Sequence, residues 1–478
     1  MLYPLFHSHR QPIRNHFMKF IIILLFPFKA FTQSVPVLFQ NVNIIDVRKG
    51  SMIANQHVLV EGSFIKKISS KPLKIKEAKV IDGTGKYLMP GLCDFNASVM
   101  LYESNGSPAF MLMLAYGVTS VKDLLPPIQF AKAKQLKEQI ANGSILGPRL
   151  YLPGQTLVDR KPTNNLLANA NSMITVKTVS EAVAMVDSLI AWGADIIDAR
   201  NIKSDSILRA ITKTAHKHNR KVIERMTGDW MTASNAGVDA FTHLSDLRRT
   251  TTTGRQKLFQ IFQGDSVISD TDFYNRVLPS LGGVDTVYFN TLMKALKKNN
   301  TWLCTGTTSY FPSLNRFEHG DTSRNVYRTK RQKQLMENDL KVQSSLTAVD
   351  KEQPDMSQLY MAHKRGLPII AGTQLNGKIT PGISMHDMLF WLVDGGFTPA
   401  DAIRAATLNP AVFIGKEKEL GTVEQGKIAD LILLDANPLK DINNTRKINA
   451  VVANGKLLLR NDIDKMLEQA KDQASRAK

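Results

Sequence analysis

Between Tyr87 and Ala371 the chain repeats one pattern: a short apolar run, then a longer stretch of helical character. Eight runs fit it: Tyr87–Asn96, Thr119–Leu124, Arg149–Leu152, Ile196–Ala199, Lys221–Arg225, Ala240–His243, Thr301–Thr305 and Pro368–Ala371. "SEAVAMVDSLIAWG" (Ser180–Gly193) and "SDSILRAITKTAHKHN" (Ser204–Asn219) carry the helical spacing between them. Parallel strands need a long crossover, usually a helix, so the alternation predicts an α/β fold. Eight repeats predict a (β/α)₈ TIM-like barrel, which takes roughly 250 residues. The 478 residues leave room for more.

The surplus has a different texture. Val37–Ser69 alternates apolar and polar residues and is punctuated by Gly50 and Gly62, the pattern of short antiparallel strands. It returns in "KIADLILLDANPL" (Lys427–Leu439) and "INAVVANGKLLL" (Ile448–Leu459), where Asn454-Gly455 marks a hairpin turn. Residues 35–86 and 417–461 are therefore expected to build one small β-sandwich from both ends of the chain, with the barrel over residues 87–416. Two insertions, 248–287 and 311–358, follow the sixth and seventh barrel strands. Loops at that end of a barrel build active sites, so both are expected to wall the site.

Residues 1–33 read as a leader. "MKFIIILLFPFKAFTQS" (Met18–Ser34) has a lysine, an apolar run and then small and polar residues, the layout of a secretory signal. The apolar run, Phe20–Phe28, is too short to cross a bilayer core, which needs roughly 20 residues. The expectation is export to the periplasm or beyond, with no stable membrane span once the leader is removed. The stretch before Met18 reads as extra sequence, and either Met1 or Met18 fits as the start.

The net charge of +19 is spread along the chain, densest in "KKISSKPLKIKEAK" (Lys66–Lys79) and "RTKRQKQ" (Arg328–Gln334). Neither segment interleaves aromatic with basic residues or forms a nucleic-acid motif, so no nucleic-acid partner is expected. Cys93 and Cys304 fall on the first and seventh strands of the ring, two lattice steps or roughly 9–10 Å apart. A disulfide tolerates at most about 7 Å between Cα atoms, so two buried free thiols are expected. His216 and His218, two apart on a helix, do not share a face and are expected at the surface.

Several segments carry a family resemblance. They are "VIDGTGKYLMPGLCDF" (Val80–Phe95), "AYGVTSVKDL" (Ala115–Leu124), "GADIID" (Gly193–Asp198), "AGVDAFTHL" (Ala236–Leu244) and "GLPIIAGT" (Gly366–Thr373). "TPADAIRAATLNPAVFIGKEKELGTVEQGKIADLILLDANPL" (Thr398–Leu439) completes the set. Together they resemble the amidohydrolase superfamily, near its imidazolonepropionase-like and prolidase-like branch. The resemblance implies a metal centre at the C-terminal ends of the strands. Its ligands would be a His-x-His pair on strand one, a carboxylated lysine or glutamate on strand four, a histidine each on strands five and six, and an aspartate on strand eight. Such a metal acidifies a bound water, and the aspartate moves its proton.

The matching positions here hold Asn96 and Ser98 on strand one, Asp198 on strand four, Arg225 on strand five, His243 on strand six and Gln374 on strand eight. A shift of one residue would put Glu224 in place of Arg225. Only His243 keeps the implied side chain. Asn and Ser are weak ligands for zinc, and a glutamine amide does not take up a proton near neutral pH. Arg225 would set a permanent positive charge where a cation should sit. Asp198 and His243 alone fall short of the three protein ligands of a catalytic zinc site. No cofactor is therefore expected; the alternative is one weakly bound divalent ion such as zinc. The loss of a metal should favour a built-in cation beside Asp198, so an Arg225–Asp198 contact is expected. Ser98 as a nucleophile with His243 as its base lacks a G-x-S-x-G elbow.

Three readings stay open. The first is a degenerate, metal-free member of the superfamily that retains a barrel mouth for a small polar molecule or short peptide. The second is an active hydrolase of C–N bonds with an atypical site. The third is a non-catalytic protein that binds a partner through its insertions.

Overall fold

In the computed structural model the described residues are 35–104, 106–124, 130–160, 173–225, 229–263, 281–306, 321–344, 356–375 and 379–477. The leader, much of both insertions and the stretch 376–378 after the eighth barrel strand lie outside them.

The chain opens with β1 (Val37–Asp46), β2 (Ser51–Glu61) and β3 (Phe64–Ser69), joined as an antiparallel meander. Strands β4 (Lys79–Asp82) and β5 (Tyr87–Pro90) return parallel to β1. Only Gly91 separates β5 from β6 (Leu92–Ala97). The apolar run from Tyr87 to Asn96 is thus two strands, and the first barrel strand begins at Leu92 rather than Tyr87.

Strands β6, β7 (Val118–Asp123) and β8 (Arg149–Tyr151) form one parallel sheet. The next two, β9 (Thr156–Val158) and β10 (Met173–Thr175), answer to no expectation above. The series continues with β11 (Ile196–Arg200), β12 (Lys221–Arg225), β13 (Ala240–Thr242), β14 (Trp302–Cys304) and β15 (Ile369–Ile370). These seven make a second sheet in the order β10-β9-β11-β12-β13-β14-β15, parallel throughout. All eight expected strands are present, most of them shorter than expected. Their ladder falls into two arcs joined by isolated backbone hydrogen bonds. At one seam Asp195 N donates to Leu152 O at 2.8 Å; at the other Phe95 N donates to Ala371 O at 3.1 Å and Gln374 N to Asn96 O at 2.5 Å.

Strand parity positions the site. Successive side chains point to opposite faces. One set, Cys93, Phe95, Ile196, Ile223, Ala240, Cys304 and Ile370, packs into a small cluster with Phe413, whose ring meets Phe95 edge-on at 5.5 Å. The alternate set, including Ile197, Ala199, Val222, Phe241, Leu303 and Ile369, packs with the surrounding helices. Asp198 and Arg225 share parity with Ile196 and Ile223, so they continue the inner face at the C-terminal ends of their strands. Cys93 and Cys304 are buried free thiols, as expected.

The chain returns to the first sheet through β16 (Leu431–Leu434), β17 (Ile448–Ala453) and β18 (Lys456–Leu459). Strand β16 pairs antiparallel with β5, which makes one eight-stranded sheet from both ends of the chain. Where two facing sheets were expected there is one continuous ladder. Leu431 and Leu433 face a core shared with Phe39, Val58 and Val60. Ile432 and Leu434 face the other way, into the cluster that holds the barrel's helices. The Asn454-Gly455 turn joins β17 to β18, with both residues at positive φ (49° and 79°), as a tight hairpin requires. A final helix, Arg460–Arg476, runs past the expected boundary at 461 and buries Ile463, Met466, Ala470 and Ala474. Among the described residues no helix is long and apolar enough to cross a membrane.

Candidate functional site

The inner face of β11 and β12 ends in an ion pair. Arg225 Nη2 donates to Asp198 Oδ2 at 2.9 Å, and Arg225 Nε donates to Asp198 Oδ1 at 3.3 Å. Side-chain exposure is 7% for the arginine and 0% for the aspartate, so the bidentate pair is shielded from water. Thr156 on β9 completes it, accepting from Arg225 Nη2 at 3.2 Å and donating to Asp198 Oδ2 at 3.4 Å. The contact expected between Arg225 and Asp198 is present. Ladder register sets Asp198 opposite Ile223 and Arg200 opposite Arg225, so Arg225 reaches diagonally across to Asp198.

Two more basic side chains share this face. Lys122 on β7 is 1% exposed. Burial pushes its ammonium down from the usual lysine range, while Asp198 acts the other way. Arg200, also buried, is lowered to about 10 by desolvation and by Arg225, and stays protonated at neutral pH.

Three expected positions meet around two glycines. Asn96 on β6 is fully buried, and its Nδ2 and Oδ1 have no hydrogen-bond partner among the described residues. Its side chain occupies the space where a Cβ on Gly306 or Gly372 would lie. His243, just past β13, has φ 78° and sets its Nδ1 3.3 Å from Gly306 O. A carbonyl only accepts, so Nδ1 carries the proton and Nε2 keeps a lone pair. Burial depresses the imidazole to about 4, which leaves it neutral at pH 7. Gln374 has φ 54°, binds Asn96 through its backbone, and leaves its Oε1 unpaired among the described residues.

Ser98 is buried at the start of the helix Val99–Ser104. No hydrogen bond joins its hydroxyl to His243 among the described residues. Glu224 points away from the ring, with the parity of Val222. Its Oε1 accepts from Ile202 N at 3.2 Å, and burial raises the carboxyl to about 8. Sequence reasoning missed Lys122, Thr156 and Arg200. Strand parity gives Arg200, which lies two residues after Asp198. Nothing in the sequence singles out Thr156.

The insertions are only partly described. The first contributes the helix Arg255–Gln263. In the second, Arg324 donates to Asp387 at 2.6 and 3.0 Å, and Arg446 donates to the same carboxylate at 2.7 Å. This part of the insertion is clamped to the molecule's body. His216 and His218 lie at the surface, paired with Asp239 and Asp187.

The two arcs of parallel strands with helices between them, and the sheet added by the chain's two ends, define an α/β protein with an extra β-domain. Residues 108–458 match the model of the Amidohydrolase family, and the chain belongs to that family. An imidazolonepropionase of Caldanaerobacter subterraneus subsp. tengcongensis is 36% identical over 74 residues, which are 15% of this chain and 18% of that relative. Ochratoxinase of Aspergillus niger is 36% identical over 91 residues, 19% of this chain and 18% of the relative. These alignments span less than a fifth of each curated relative. Solved structures agree over far more of the chain. Phenylurea hydrolase B superposes with a TM-score of 0.64 at 17% identity, covering 90% of this chain and 98% of its own. A. niger ochratoxinase gives 0.61 at 19% identity, covering 89% and 96%. At such identities the likeness speaks for the fold: a TIM barrel with an extra domain.

Proposed function

We propose that this chain is an exported, degenerate amidohydrolase that has exchanged its metal centre for an internal cation. Its barrel mouth holds a small polar molecule or a short peptide without hydrolysing it. In this reading the two parallel arcs are one (β/α)₈ barrel. Asn96, Ser98, Asp198, Arg225, His243 and Gln374 stand at the family's ligand positions, and the leader sequence supports export.

The observation that carries the reading is the Arg225–Asp198 pair. Asp198 is the sole carboxylate among the six positions, and both its oxygens are engaged by one guanidinium. A divalent ion there would need that carboxylate and would lie against a fixed positive charge in a low-dielectric setting. The remaining donors are two amides, a hydroxyl and one imidazole nitrogen, a poor set for zinc. Among the described residues no three His, Cys, Asp or Glu side chains converge as a metal site. The residues present do not fit the metal that the family implies, and no metal-dependent step is derived.

Metal content tests this directly. The purified protein is incubated with zinc and manganese, desalted and analysed by plasma mass spectrometry beside an His243→Ala variant. Less than about a tenth of an equivalent in both is expected. Close to one equivalent, lost in the variant, would overturn the reading and direct a search for activity on dipeptides and cyclic amides.

A further inference from the structure

The lysine-rich stretch Lys66–Lys79 lies outside the barrel, on the sheet built from the two ends of the chain. Lys66, Lys67, Lys71, Lys74, Lys76 and Lys79 share it with one acidic residue, Glu77. All six lysines are exposed. Among the described residues none of them forms an ion pair, whereas Lys86, Lys137 and Lys416 each have a carboxylate beside them.

Ladder register gathers this charge on one face. Strand β3 ends the sheet and β4 lies beyond β1, so residues 70–78 cross β2 and β1 to join them. Val80, Leu38, Leu59 and Lys67 pair in one row across the four strands, and residues paired in a row point to the same side. Ile81 and Ile65 pack into the core on the other side. Phe64, next to Ile65, therefore points the same way as Val80 and Lys67. Phe64 and Val80 are 53% and 52% exposed. In the crossing segment half-buried Leu73 and Ile75 alternate with exposed Lys74 and Lys76. The result is a basic face with apolar side chains set into it, three strand spacings or roughly 14 Å wide.

That combination decides what the face fits. A soluble polyanion would meet the lysines and leave Phe64 and Val80 in water. The boundary of an anionic bilayer takes both, the headgroups receiving the ammonium groups and the shallow acyl region the apolar side chains. Position argues the same way. Lys79 N donates to Pro36 O at 2.8 Å, and Val35 is 61% exposed. Lys79 thus lies beside the start of β1, directly after the segment that carries the apolar run Phe20–Phe28.

We propose that this face of the terminal sheet docks the folded protein on an anionic lipid surface, with Lys67, Lys71, Lys74 and Lys76 against the headgroups and Phe64 and Val80 at the acyl boundary. Each lysine close to such a surface tightens binding about fivefold, so a few acting together give a reversible attachment that salt weakens. The attachment is peripheral and needs no membrane span. It depends on neither a metal nor a ligand in the barrel mouth.

Sedimentation of the purified full chain with vesicles tests this, using phosphatidylcholine alone and phosphatidylcholine with about 30% phosphatidylglycerol. Binding at least about tenfold tighter to the anionic vesicles is expected. Replacing Lys67, Lys71, Lys74 and Lys76 together by Gln should abolish that preference. Replacing Lys213, Lys217, Lys294 and Lys298 by Gln, which removes the same charge from exposed helix positions, should leave most of it. Phe64→Ser should weaken binding to the anionic vesicles severalfold and leave retention on heparin unchanged. If the first quadruple variant does not fold, the two vesicle types and Phe64→Ser still decide. Equal binding to both vesicle types, or equal loss from both quadruple variants, would overturn the proposal. So would a Phe64→Ser variant that binds anionic vesicles as the parent does, which would make a soluble polyanion the occupant of this face.

Discussion

At the scale of single residues, the pairing of Arg225 with Asp198 makes a prediction that depends on which partner is removed. Taking away one member of a buried pair strands the other without compensation, at a cost of about 3–5 kcal/mol. Arg225→Met and Asp198→Leu should each destabilise by that order in urea unfolding. The double variant, with two apolar side chains, should lie closer to the parent than either single one. If the double variant loses the sum of both, the two residues act separately and the internal-cation idea loses its basis. The pairing was legible in part: "GADIID" ends on Asp198 and fixes it, whereas "KVIER" left Arg225 and Glu224 as alternatives until strand parity turned Arg225 inward. Lys122 and Thr156 were not legible. A lysine in an apolar strand looks like any strand lysine until parity and burial are known. Thr156 belongs to a three-residue strand too short to show a period.

At the scale of elements, strands β6, β14 and β15 converge at their C-terminal ends, where two glycines make room for Asn96. The two differ in what they face, and that difference can be measured. A Cβ at Gly306 would collide with the Asn96 side-chain nitrogen, whereas one at Gly372 would lie 2.7 Å from the Asn96 backbone nitrogen. Each Gly→Ala change should cost about 1–3 kcal/mol by overpacking. Asn96→Ala should relieve most of the loss at Gly306 and little of it at Gly372. Double-mutant cycles in chemical unfolding give the two coupling energies, and equal couplings would mean the strand ends are not arranged this way. Composition and spacing could not show this contact, because it joins residues more than 200 positions apart. The strands themselves were legible, since a buried parallel strand reads as an apolar run. Their ends were not: the run through Gly91 concealed a change of sheet, and polar strand ends carry no contrast with the loops that follow.

At the scale of the whole molecule, the alternation at the chain's two ends disclosed that they build one β-unit together, though not that it is a single ladder, and the Asn-Gly pair disclosed the hairpin. What the sequence could not show is how firmly that sheet is joined to the barrel. Three features bind them. Strands β5 and β6 belong to different sheets yet are separated by Gly91 alone, too short a link for independent motion. Ile432, Leu434 and Val451 leave the terminal sheet to pack in the cluster that surrounds the barrel. Asp387 receives Arg324 from the second insertion and Arg446 from the segment before β17. A core shared in this way cannot lose one part without exposing apolar surface on the other, at about 25 cal/mol per Å². The expected outcome is a single cooperative transition for residues 35–477, although a chain of this length often unfolds in steps. Trp230, Trp302 and Trp391 lie in the barrel or its helices, and the terminal part is rich in strand, so tryptophan fluorescence and far-ultraviolet circular dichroism report different regions. Their urea midpoints should coincide. Asp387→Asn, which takes the shared carboxylate away from Arg324 and Arg446, should shift both midpoints down together. A fluorescence change that precedes or follows the loss of strand signal would show that the sheet and the barrel are separate folding units, and the shared core would then be too weak to couple them.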